Sequence, residues 1–158
     1  MESSRKTRQA ASDELNFRKV SDIDIAKRDV KERGFALSIV KDRETLFQSK
    51  TPGIFVLVTA IDKERSRFKG ASAADKILGK AVAMLLIYSG IKRVYASTAS
   101  QDALATLEKF KIPFEFGVTV PKILNRDRTS TCQFESLVRD AQTPEEAFEK
   151  LKICKVSG

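Results

Sequence analysis

The eleven residues NRDRTSTCQFE, 125–135, gather the densest reactive chemistry in the chain, directly after the apolar run VTVPKIL. Arg126 and Arg128 raise the local potential and favour the thiolate of Cys132, the nucleophilic and redox-active form of the side chain. Asn125 and Asp127 are types that fold a loop back on itself through side-chain-to-backbone hydrogen bonds, and Asp127 is also a proton carrier. Against a reactive thiol stand the absence of any histidine to pair with it and Glu135 at i+3, whose charge opposes ionisation. The structural reading of the same residues is a half-buried cysteine holding a polar loop.

A second candidate is Ser72-Ala73-Ala74-Asp75-Lys76. The spacing of Ser72 and Asp75 resembles a capping box, and Ala74, Ile77, Leu78, Ala81, Leu85 and Tyr88 follow at helical spacing, which predicts one buried helix from Ser72 to Tyr88. Asp75 would then bind or move a proton in the first turn while Lys76 meets an anionic group; as a cap it needs no function. Gly79 inside such a helix costs about 1 kcal/mol relative to alanine, which makes sense where another backbone approaches closely. The third candidate, Ser97-Thr98-Ala99-Ser100, lies between a strand's carboxyl end and a helix start, where open α/β sheets line ligand clefts. No glycine-rich phosphate loop accompanies it.

The elements that must position these groups follow from pattern. Ser21 caps an amphipathic helix with Ile23, Ala26 and Val30 on one face, ended by Gly34. FALSIV and TLFQS around KDRE predict a hairpin. IFVLVTAI reads equally as a strand by β-branching or a helix by the spacing of Ile54, Leu57, Val58 and Ile61. IKRVYAS predicts a strand, Ser100 caps the helix QDALATLEKF, and 112–118 predicts a further strand. Thr143 and Pro144 launch a last helix with Ala147, Phe148 and Leu151 inward and Cys154 near its end. This rhythm is that of a layered α/β fold. The expected organisation is a basic arm over 1–20, an accessory helix over 21–34, and a single domain over 35–154.

With 158 residues, 42% hydrophobic, the chain suits one core. No run of about 20 apolar residues and no apolar leader region occur, so the expectation is a soluble cytoplasmic or other intracellular protein without membrane contact. The two cysteines are expected reduced, and without histidine they leave a poor zinc donor set, so neither metal nor cofactor is expected. The net charge of +8 favours polyanions, but it is spread: residues 1–33 carry nine basic and seven acidic side chains, the remainder 20 and 14. Nucleic-acid contact through diffuse positive charge and self-association through the accessory helix are both open.

GASAADKILGKAVAMLLIYSGIKRVYAS, ALATLEKFKIPFEF and VPKILNRDRTSTCQFE together resemble a family of uncharacterised proteins, domain of unknown function 1893, over about Phe35 to Leu137. The positions shared with that family are Ala74, Asp75, Lys76, Gly79, Lys80, Asn125, Arg126, Asp127, Thr129, Cys132 and Glu135. The chain departs at Arg128 and Ser130, where the family tends to glycine, and at Gln133, where it tends to proline. The resemblance implies a three-layer α/β/α, cytidine-deaminase-like sheet flanked by helices. Zinc deaminases place a histidine or cysteine and a glutamate at one helix start and two cysteines at the next; aligning these positions with Ala73–Asp75 and with STASQDA leaves the ligand set missing. The leading expectation is therefore a domain binding a nucleoside, nucleotide or related metabolite without zinc deamination, with Lys76, Ser97, Ser100, Asn125, Arg126, Thr129 and Glu135 as ligand contacts. Two alternatives stand beside it: an enzyme using Cys132 with Asp75 or Asp127 as proton carriers, and a basic nucleic-acid or protein interaction module.

Overall fold

A computed structural model describes residues 20–157; of the expected arm over 1–20, all but Val20 lies outside the described residues. Helix α1, Asp22–Glu32, begins at Ser21, whose side chain accepts from the Asp24 N–H while Asp24 returns the bond to the Ser21 backbone. This reciprocal cap satisfies two of the N–H groups a helix start leaves open. Gly34 follows at φ +78, the left-handed conformation that ends helices.

Strands β1, Leu37–Lys41, and β2, Glu44–Ser49, form the expected hairpin, and Asp42 and Arg43 both take positive φ in its two-residue turn. The Asp22 carboxylate accepts from both turn N–H groups, at 3.1 and 2.8 Å, tying α1 to the hairpin. The ambiguous run resolves as helix α2, Ile54–Glu64, because Ile54, Leu57, Val58 and Ile61 all bury on one face. A short 3-10 turn, Arg65–Phe68, leads to strand β3, Ser72–Leu78.

The helix expected from Ser72 is thus corrected. Ser72–Leu78 is a strand, Gly79 is the N-cap, and helix α3 runs only over Lys80–Tyr88. The helical spacing misleads because β3 lies inside the sheet, paired antiparallel with β1 and parallel with β4. Ala73 packs toward one face and Ala74 toward the other, so a doubly buried strand of small residues carries no period-two alternation. Strand β4, Arg93–Ser100, leads directly into α4, Gln101–Lys109, where the Ser100 hydroxyl accepts from the Ala103 N–H at 3.0 Å. Strand β5 is Phe114–Val120, so it begins and ends two residues later than the expected 112–118. A short helix α5, Gln133–Val138, and the last helix α6, Pro144–Ser157, complete the chain; Thr143 caps α6 as expected, accepting from the Glu146 N–H at 3.2 Å.

The five strands lie in the order β2-β1-β3-β4-β5, with β1 antiparallel to its neighbours and β3, β4 and β5 mutually parallel. One apolar cluster, including Ile23, Ala26, Val40, Ala74 and Tyr95, packs α1 onto one face. The larger core, with Leu57, Ile61, Leu85, Leu107 and Leu151, gathers α2, α3, α4 and α6 on the other. Asp29 anchors α1 further: buried, it accepts from Ser38 Oγ at 2.8 Å, Gln48 Nε2 at 2.9 Å and Arg33 Nη1 at 3.2 Å.

Candidate functional site

Asp75 sits on the wall of a pocket of about 590 Å³, open mouth included, between the β1–β2 hairpin, the head of α2 and the end of β3. Leu37, Ile54, Leu57 and Val82 make the wall mainly apolar, and Asp75, with only 7% of its surface exposed, is its buried acid. Burial raises its pKa from 3.8 to about 7, against the opposing pull of backbone N–H groups at Ile77 and Lys76. The Ile77 N–H donates to its Oδ1 at 3.3 Å. At the same pocket, α2 starts at Gly53 with no side-chain cap, and the first N–H groups of a helix have no partner within it. Lys76 is exposed at the same pocket. A carboxyl poised between its neutral and charged forms in an apolar pocket is an arrangement suited to ligand recognition or proton transfer.

A second, more polar pocket of about 550 Å³ is lined by Lys80, Ser100, Asp102, Lys122, Glu135 and Arg139 among others. Glu135 dominates its inner end. Its carboxylate crosses from α5 to the head of α3, accepting from the Lys80 N–H at 2.9 Å and the Ala81 N–H at 3.2 Å. It therefore serves as the N-cap side chain that Gly79 lacks. A Cβ at Gly79 would lie 2.0 Å from Glu135 Oε1, so the glycine is required by this carboxylate and not by a neighbouring backbone. Burial raises the Glu135 pKa, while the two N–H donors pull it down.

The NRDRTSTCQFE loop is organised from within. Asn125 Oδ1 accepts from the Thr129 N–H at 3.0 Å, its Nδ2 donates to the Thr129 and Ser130 hydroxyls, and its own N–H donates to the Ser130 carbonyl at 2.9 Å. Leu124 and Thr131 close a small antiparallel bridge. Arg128 takes φ +57, a left-handed turn position where glycine is the unstrained residue. Cys132 is half-buried at the head of the six-residue α5, with its N–H donating to the Ile123 carbonyl at 2.9 Å.

The structure thus distributes the expected site residues. Asp75 and Lys76 share the apolar pocket; Ser100 and Glu135 share the polar one. Asn125 and Thr129 bond to each other, while Arg126, Asp127 and Cys132 belong to the loop and line neither pocket. Ser97 is half-buried in β4, and its carbonyl lies 2.7 Å from where a Cβ on Gly117 would stand. Sequence reasoning missed Thr51-Pro52-Gly53 as pocket residues, although the Pro-Gly break before an apolar run signalled a helix head. It also missed Lys122 and Arg139, whose isolated positions carry no pattern.

The architecture is a mixed five-strand α/β sheet flanked by helices. The chain belongs to the DUF1893 family, whose model, a domain of unknown function, matches residues 25–153. Its structure is similar to the crystal structure of a DUF1893 family protein, TM1506, from Thermotoga maritima, at 26% identity and a TM-score of 0.71 over 83% of this chain and 87% of that one. No curated protein matches the chain.

Proposed function

We propose that the Asp75 pocket binds a small planar metabolite of the nucleobase, nucleoside or nucleotide class, on a cytidine-deaminase-like fold that has given up zinc deamination. The observation that carries this reading is a mainly apolar pocket lined by both the buried Asp75 and an uncapped helix head. Protonated, Asp75 offers one donor and one acceptor side by side, the complement of a lactam edge; ionised, it accepts from an amidine or amino edge. The free N–H groups of α2 suit a carbonyl or anionic group at the other end of the same ligand, and Lys76 supplies charge at the mouth.

Strand order and the reversed β1 support the deaminase-like reading of the sheet. They also move the comparison of zinc positions. The helix heads that follow β2 and β3 are Thr51-Pro52-Gly53-Ile54 and Leu78-Gly79-Lys80-Ala81, whereas Ala73 and Asp75 are strand residues. Neither helix head carries a histidine or cysteine, so these residues do not form a zinc-ligand set. The substrate contacts of this reading are Asp75 and Lys76. Asn125, Thr129 and Glu135 act by shaping the loop and the head of α3.

The test is a thermal-shift and calorimetric screen of nucleobases, nucleosides and nucleotides on wild type and Asp75→Ala. Saturable binding weakened by about 10- to 100-fold in the variant, the worth of one or two hydrogen bonds to a buried polar group, is the expected result. Absence of any saturable ligand, or equal affinity in the variant, discards the reading.

A further inference from the structure

Strand β5 is the last in the sheet and, among the described residues, pairs only with β4, which leaves the outer row of its backbone N–H and C=O groups without a strand partner there. Edge strands are ordinarily blunted by lysines, prolines within the strand, bulges or a covering helix. Phe114–Val120 has no lysine or proline, and Glu115 through Thr119 are exposed, with Phe116 at 43% and Val118 at 60%. Its one charge is already answered: Lys27 of α1 meets Glu115 at 2.8 Å.

The sequence around this strand is nearly symmetric about Gly117. Reading outward, Phe116 faces Val118 in the pattern, Glu115 faces Thr119, Phe114 faces Val120, and Pro113 faces Pro121. We infer that β5 is a self-association edge, pairing antiparallel with β5 of a second copy about a twofold axis at Gly117. In that register each aromatic residue meets a β-branched one across the ladder, a favourable cross-strand pair, and no like charges oppose one another. Pro113 and Pro121 bound the ladder at equal distance from Gly117, so the symmetric register is the one that pairs the whole of Phe114–Val120. The twofold closes the assembly, whereas pairing β5 with the opposite edge, β2, would propagate without closing. The inference is independent of any ligand in the Asp75 pocket.

The full chain is examined by sedimentation velocity from low to high micromolar concentration, beside Val118→Glu and the double variant F116K/V118E. Wild type is expected to approach twice the chain mass of 17.6 kDa. V118E, at an exposed position, is expected to keep the wild-type circular dichroism and to dissociate at least tenfold more readily. F116K/V118E restores the dimer, because each lysine then faces a glutamate of the other copy twice across the axis. A wild type that remains monomeric throughout, a V118E variant as dimeric as wild type, or a double variant no better associated than V118E overturns the proposal.

Discussion

Asp75 carries a definite consequence for stability. Its folded pKa, about 7, lies above the unfolded value of 3.8, so between these pH values the folded state holds a proton that the unfolded state has lost. Stability from this group is therefore full below pH 3.8, falls as pH rises, and levels off above 7. Asp75→Asn keeps an acceptor for the Ile77 N–H but cannot ionise. Relative to wild type, it should gain about 2 kcal/mol between pH 5 and pH 8, measured by urea unfolding at the two pH values. An unchanged difference would show that Asp75 ionises as freely in the fold as in the unfolded chain. The sequence singled out Asp75 as a proton-handling residue but placed it on a helix, where its burial could not be read. A serine, two alanines and an aspartate satisfy a helix cap and a crowded central strand equally well. The choice was made by pairing with β1 and β4, which are distant in sequence.

At the scale of elements, the head of α3 depends on a residue from α5. Glu135 stands in for a local cap, and Gly79 leaves the room for it. Glu135→Ala should cost about 1–3 kcal/mol, the loss of a charged cap on two buried-side N–H groups. Gly79→Ala should cost a similar amount by displacing the same carboxylate. The double variant should be no less stable than Glu135→Ala alone, because the clash disappears with the carboxylate; additive costs in denaturant unfolding would refute the coupling. Local signals sufficed where caps are local, as at Ser21, Ser100 and Thr143. They failed at Gly79, whose capping partner arrives from another element, and at Ile54–Ile61, where only the buried face distinguishes helix from strand. The self-folded hydrogen bonds of Asn125 were legible in composition, whereas the left-handed turn at Arg128 was signalled only by the resemblance, through the glycine that the family tends to place there.

For the molecule as a whole, Asp75 and Lys76 line one pocket while Thr131 and Glu135 of the NRDRTSTCQFE stretch line another, and Glu135 reaches from α5 to α3. Layering, the hairpin and the helix-strand alternation were readable from periodicity, but the division of the expected site into two pockets was not, because it depends on which strand ends lie side by side. No helix among the described residues is long and apolar enough to cross a membrane. In the proposed reading, ligand recognition belongs to the Asp75 pocket and not to the cysteine-bearing loop. The most direct measurement is amide chemical-shift mapping of isotopically labelled protein during titration with the tightest ligand of the nucleobase and nucleotide screen. Saturating shifts centred on Gly53, Ile54, Asp75 and Ile77, with Thr129 and Cys132 unmoved, are the expected result. Shifts centred on Asn125–Cys132, with the Asp75 pocket silent, would contradict it.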